Sequence, residues 1–331
     1  MAEPPAALTT HVRNFALGAA PVLAAFIEDM PAVALADGGV VLGEPEALRR
    51  IEAHANGAIL NAVADGARLL TGGDDGRVML LGADGQTKEI AHEKGRWIDA
   101  LAMRGQNLAW AAGREVRALD SAGALKTVQA PTSVRGLCLL PKGYRLALSH
   151  YNGVSLWFPN AAAAPTTLEW KGSHLEATSS PDGRFLVTSM QENALHGWRL
   201  ADARNMRMTG YPGKSRSLSW SHDGHWLATS GADACIVWPF KDKDGPMGKA
   251  PRECGVRFSR VTRVAFHPRA LVVAMGYADG FVMLCRLGDG AEIRVRDASG
   301  SPVAAMSWDA IGARLLFGLE DGQAGLLTLP V

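Results

Sequence analysis

Asp182-Gly183-Arg184-Phe185-Leu186-Val187-Thr188-Ser189 is matched forty-one residues later by Asp223-Gly224-His225-Trp226-Leu227-Ala228-Thr229-Ser230. In both, an Asp-Gly pair supplies the backbone freedom of a hairpin turn, and a run of apolar and small residues follows as a strand. A strand also precedes each turn, Ala177 to Ser180 in one and Leu218 to Ser221 in the other. Working outward, the same hairpin recurs along the whole chain. Its second-strand core positions are Val33, Leu69, Leu108, Leu146, Leu186, Leu227, Val272 and Leu315, spaced by 36, 39, 38, 40, 41, 45 and 43 residues. A period near forty residues with four strands per unit is the signature of a ring of small sheets. Stacked helix pairs are excluded, because no 3.6-residue periodicity runs long enough.

A second turn follows in several units, as Asp37-Gly38, Asp75-Gly76, Asn152-Gly153, Asp279-Gly280 and Asp321-Gly322. A third strand comes after it, over Val78 to Leu81, Val154 to Trp157, Ile236 to Trp238 and Phe281 to Cys285. Trp157, Trp198 and Trp238 end this strand in three units, where a large ring fills the gap between neighbouring sheets. Outer fourth strands are expected at Lys88 to Ala91, Leu125 to Gln129, Thr167 to Trp170, Met206 to Thr209, Arg257 to Phe258 and Glu292 to Val295. The last unit lacks an outer strand of its own. His11 to Ala16 has the pattern to supply it, which removes an open edge. The expectation is therefore one all-β domain over residues 9–331, with residues 1–8 as a short tail. It has eight blades, with seven as the alternative.

The residues Ser219-Trp220-Ser221-His222-Asp223-Gly224, Leu227 to Gly231, Asp233 and Ile236-Val237-Trp238 resemble WD40 repeats, as do Ser179 to Gly183 and Phe266-His267-Pro268. The resemblance implies a WD40-type β-propeller closed by its N-terminal strand, and a role as a protein-binding platform. Repeats of that family often join a His before the inner strand, a Ser or Thr in the second strand, an Asp in the turn and a Trp in the third. No unit here shows all four. The second has His54, Thr71 and Asp75 but Leu81 in the Trp place. The sixth has Thr229, Asp233 and Trp238 but Lys214 and Ser215 where the His is expected.

Among 331 residues, 34 Lys and Arg balance 33 Asp and Glu, and 47% are hydrophobic. This is the composition of a folded globular chain without the basic excess of a nucleic-acid binder. The apolar run from Phe15 to Ile27 is broken by Gly18 and Pro21 and is too short to span a bilayer. A cytoplasmic location follows as the default. The four cysteines, Cys138, Cys235, Cys254 and Cys285, have no paired spacing and read as free thiols. No phosphate loop, zinc-protease motif or nucleophile elbow is present, and the histidines are dispersed. No catalytic residue, cofactor or metal is expected. A small-molecule or metal-responsive binding module is the alternative, and an enzyme comes after it.

In a ring of this kind, the loops that enter the inner strands share one face. Aligning the inner strands on Val264-Ala265-Phe266 puts Asp99, Arg135, Leu175, Arg216, Thr262 and Ala304 at equivalent rim positions, with Arg96, Trp97, His174 and Arg263 close by. Arg and Trp are favoured interface anchors. The expected partner face is therefore Arg96, Trp97, Asp99, Arg135, His174, Arg216 and Arg263. Its expected occupant is an acidic or phosphorylated segment of another cytoplasmic protein, met by a chain that is monomeric on its own.

Overall fold

All eight repeat anchors fall on strands of the computed structural model, which describes residues 7–330, and seven of them are buried. Consecutive strands pair antiparallel, and the described residues form seven hydrogen-bonded sheets. Six sheets have four strands each, over residues 21–52, 59–92, 100–129, 218–254, 261–296, and 303–328 together with 12–16. The seventh has six strands and covers residues 136–208.

The expectation of eight blades is thereby corrected to seven. The physical reason lies in one long strand, Thr166–Ser179, which runs across the boundary between the fourth and fifth repeats, whereas Leu146–Trp157 stays within the fourth and carries the positive-φ turn at Asn152-Gly153. Thr166 to Glu169 pairs with Leu156 to Gly153, whereas His174 to Ser179 pairs with Met190 to Leu186 of the next repeat. Tyr151 pairs with Ser173 near the join, after a register shift that leaves Trp170 to Gly172 outside the ladder. Two sequence repeats therefore share one sheet.

The strand Val12–Ala16 stands where the sequence places it. It pairs with Gln323–Thr328, from Val12 opposite Leu327 to Ala16 opposite Gln323. Of the expected tail, residues 1–6 lie outside the described residues. Ala7 bridges Arg294, whose carbonyl also accepts the Leu8 N–H at 2.7 Å. One outer strand is misplaced in the sequence reading. The strand pairing with Cys235 to Val237 is Arg252–Cys254, not Arg257 to Phe258. Arg257 instead lies 3.7 Å from the centre of the Phe281 ring, and Phe258 is fully exposed. A cation held over an aromatic face outweighs an edge pairing of two residues.

The chain divides into two compact units. Among the described residues, 7–35, 41–50 and 211–330 form the first, and 36–40 and 51–210 form the second. In the second, Trp157 packs with Leu137, Leu146 and Leu148 against Ala109, Val116 and Ala118 of the preceding sheet. Trp198 fills the same role among Leu156, Leu168 and Leu186. In the first, Phe317, Leu315 and Leu327 close over Val282 and Leu284, and Cys235, Cys254 and Cys285 lie buried near Tyr277. The four cysteines are free thiols, Cys138 only partly buried. Among the described residues no helix is long and apolar enough to cross a membrane.

Buried polar groups in these hairpins are joined in small relays. His54 is buried and sets Nδ1 at 3.0 Å from the Asp75 carboxylate and Nε2 at 2.9 Å from the Thr71 hydroxyl. In the next repeat Glu93 takes the His place, accepting the Trp110 indole N–H at 2.8 Å and the Arg117 guanidinium at 2.6 Å. In the sixth repeat the missing histidine is replaced by Tyr211, three residues before Lys214. Its hydroxyl accepts the Trp238 indole N–H at 2.6 Å and meets the Thr229 hydroxyl at 2.6 Å, and burial drives its pKa upward. Tyr211→Phe is expected to cost about 1–2 kcal/mol, because it leaves the Trp238 N–H buried without an acceptor. Urea unfolding checks this; an unchanged midpoint would show that the relay adds nothing to stability.

Candidate functional site

The second unit carries a cleft of about 420 Å³ lined by Leu60, Asn61, Trp97, Asp99, Arg135, Leu175 and Glu176. Its central feature is the loop between the strands Thr87–His92 and Ala100–Arg104. The loop is built from the backbone up. The Glu93 N–H donates to Gly76 O at 2.7 Å, the Arg96 N–H to Glu93 O at 3.0 Å, and the Ile98 N–H to Gly73 O at 3.1 Å. Ile98 is fully buried against Gly72, where an added Cβ would come within 2.5 Å of the isoleucine side chain. Adjacent residues of an extended segment point to opposite sides. Anchoring Ile98 inward therefore turns Trp97 outward, and the residue is 65% exposed.

The polar groups around the ring are fixed in the same way. The Asp99 carboxylate accepts the Gly113 N–H at 2.6 Å, and its other oxygen lies 3.6 Å from the Arg135 guanidinium. Asn61 donates both amide hydrogens, to Ile98 O at 3.0 Å and to Asp99 O at 2.9 Å. The Arg135 N–H donates to Ser149 O at 3.0 Å, which sets where its half-exposed side chain starts. Three of the aligned rim positions, Asp99, Arg135 and Leu175, thus line one cleft with Trp97. Leu60, Asn61 and Glu176 were not singled out from sequence. Asn61, two residues into an inner strand, and Glu176, next to an aligned rim residue, were both within reach of the same alignment.

The remaining expected residues fall elsewhere. Arg96 is engaged by the Glu115 carboxylate at 3.4 Å and by Ala112 O. His174 is fully buried, with Nε2 donating to Trp170 O at 2.9 Å and Nδ1 at 2.8 Å from the Thr188 hydroxyl. Burial holds its pKa below the ordinary imidazole value. It is a core residue. Arg216 and Arg263 belong to the first unit. Arg216 is exposed and its backbone N–H donates to the Ser230 hydroxyl at 3.0 Å. Arg263 donates to Ala304 O and to Thr262 O.

A second cleft of about 650 Å³ lies along Thr132, Tyr151, Asn152, Thr167, Glu169, Trp170 and Lys171. Asn152 adopts a positive φ of 68° at the turn, and its side-chain oxygen accepts the Gly172 N–H at 3.2 Å. His150 also lines the cleft, and His150, His174 and His196 are all buried. His196 stacks on Trp170 at 4.0 Å, and both its ring nitrogens lack a hydrogen-bond partner. Among the described residues no group of three or more His, Cys, Asp or Glu side chains is arranged to hold a metal ion.

The family described as "WD domain, G-beta repeat" matches residues 206–238, the repeat that contains Tyr211, Thr229 and Trp238. No curated protein matches the chain. Among solved structures, the chain is similar to the computationally designed Ika8 protein, with 18% identity, 95% of this chain and 99% of that one covered, and a TM-score of 0.77. It is also similar to a chain of the mitotic checkpoint complex, with 14% identity, 99% and 97% covered, and a TM-score of 0.66. These likenesses show the fold. Residues 206–238 thus match the WD40-repeat family, and the chain as a whole has the fold of a β-propeller.

Proposed function

We propose that this propeller is a non-catalytic protein-interaction platform, a single cytoplasmic domain, monomeric on its own, that meets its partner through the cleft of Trp97, Asp99 and Arg135. WD40 propellers generally serve as interaction scaffolds, and one structurally similar chain comes from a multiprotein complex, the mitotic checkpoint complex. The observation that carries the proposal is Trp97 itself. A large aromatic residue left 65% exposed on a loop braced by backbone hydrogen bonds loses little entropy on contact, which is what an interface anchor requires. The acidic or phosphorylated segment expected from sequence would depend on Arg135. Of the other arginines placed with it, Arg96 is already held by Glu115 and Ala112, and Arg263 by backbone carbonyls.

Trp97→Ala is expected to weaken capture of the native partner by about thirtyfold, the size of a central interface anchor, and to leave the thermal midpoint almost unchanged. The test is affinity capture from native lysate with the wild type and the variant side by side. A variant that retains its partners at wild-type level would remove this cleft from the contact face.

A further inference from the structure

We infer that two neighbouring loops of the first unit, residues 211–217 and 255–263, form a further contact surface that takes an acidic peptide segment carrying an apolar residue. Its residues belong to a different unit from the Trp97 cleft, and the inference does not rest on that cleft. The loops lead into the inner strands Leu218–Trp220 and Val261–Phe266 and are tied through the turn between them. The Gly213 N–H donates to Gly231 O, and the Gly231 N–H to Val261 O, both at 3.1 Å. The Arg260 guanidinium packs on Gly213, where an added Cβ would lie 3.0 Å from it, and so comes beside Lys214.

Charge is the first argument. Among the described residues, the side chains of Lys214, Arg216 and Arg260 have neither an ion pair nor a hydrogen bond. Elsewhere the chain's cations are matched: Arg68, Arg117, Arg199 and Arg314 each hold a carboxylate at 2.9 Å or closer. On these same loops Arg257 has Asp279 at 3.3 Å, and Arg263 is spent on backbone carbonyls, so neither adds to the count. Against the three unmatched cations, the two loops and the turn 230–234 hold one carboxylate, Asp233, which pairs with none of them. The surface is net positive, and the three cations start from separate backbone positions, which suits carboxylates spread along a segment.

The second argument is apolar. The Gly255 N–H donates to the Glu292 carboxylate at 3.0 Å, and Gly255 O accepts the Tyr277 hydroxyl. The Arg257 N–H donates to Asp233 O at 2.9 Å, the Ser259 hydroxyl accepts the Asp279 N–H at 3.2 Å, and Arg260 O accepts the Ala278 N–H at 2.8 Å. Of residues 255–260, only Val256 and Phe258 have no such bond, and both are exposed. Single exposed apolar residues are ordinary. Two on one braced loop, beside unmatched cations, lose little entropy when an apolar residue between acids packs on them.

Four degenerate peptide pools test this against the full chain: a central Leu flanked by Glu, by Ser or by Lys, and a central Ser flanked by Glu. The Glu-flanked Leu pool should bind about tenfold more tightly than the Ser-flanked one, the sum of a few exposed charge contacts. Arg216→Glu and Arg260→Glu should each weaken it by about threefold or more, and Phe258→Ser should bring it down to the level of the Glu-flanked Ser pool. None of these side chains makes a hydrogen bond, so the thermal midpoints should stay level. If all pools bind alike, or if Trp97→Ala weakens the acidic pool while Arg216→Glu and Arg260→Glu do not, the inference is overturned. Binding to phosphatidylserine vesicles without preference among the peptides would overturn it equally, in favour of a membrane surface.

Discussion

Gly76→Ala is expected to cost about 3 kcal/mol, from a left-handed backbone forced on a side chain and from a collision that cannot be relieved locally. Gly76 has φ of 77°, and a Cβ there would lie 2.2 Å from Glu93 O and 2.8 Å from Arg96 O. Both obstacles are backbone of the loop that presents Trp97. Relief therefore requires that loop to lift, which would also carry the ring out of its cleft. Gly95 is the internal control. Its φ is 71°, but an added Cβ meets nothing within 4 Å. Gly95→Ala should cost only about 1 kcal/mol, the conformational part alone. Urea midpoints at constant m-value read both variants. Equal losses would show that the close approach to Glu93 and Arg96 is immaterial.

Acid should destabilise the second unit well before its carboxylates titrate. Burial is the leading cause that lowers the pKa of His150, His174 and His196, the last to about 3. For His196 the positive charges of His174 and Arg207 add to it. The sign follows from proton counting. Below about pH 6.5 the unfolded chain binds protons at these rings that the folded chain refuses. Stability is therefore whole above that pH and falls as the pH drops, and for His196 the loss continues to about pH 3. Each histidine contributes a slope of up to about 1.4 kcal/mol per pH unit. Between pH 6.5 and 5 the acidic groups lowered by their partners, Asp65 and Asp182, stay ionised and do not confuse the reading.

His196→Phe separates the contributions. The ring stacks on Trp170 and lies edge-on to Trp198 at 4.7 Å, so an apolar ring fits the surroundings. Removing two unpartnered nitrogens should raise stability at neutral pH by about 1–2 kcal/mol and flatten the acid slope. Midpoints that stay level from pH 7 to 5, or a variant with the wild-type slope, would contradict the assignment.

The hairpins were legible in the sequence because their turns have chemical requirements. Asp-Gly and Asn-Gly pairs mark them, and the apolar strand after each turn is buried as its pattern demands. The pairing of Val12–Ala16 with Gln323–Thr328 was legible because one unit lacked an edge and one segment lacked a partner. The number of sheets was not. Nothing local distinguishes an outer strand that stops at Trp170 from one that runs on through His174 to Ser179. The polar relays were half legible. His54, Thr71 and Asp75 stand in their family places, but a phenol at Tyr211 or a carboxylate at Glu93 satisfies the same buried groups from a different residue type. At the cleft, alignment of inner strands placed Asp99, Arg135 and Leu175 together, since rim positions repeat with the strands. It misplaced His174, because the same continuous strand that joins two repeats carries that ring into the interior.

The edge-closing pair also constrains how the polypeptide is made. Val12 to Ala16 leaves the ribosome well before its partner Gln323 to Thr328, which emerges only after all the intervening residues have been synthesised. Throughout translation Val12 and Phe15 have no native sheet to join, and non-local pairing of this kind is slow. Two nascent copies on one messenger could each lend this segment to the other. Strand-exchanged dimers are therefore the misfolded form to expect when synthesis outruns closure.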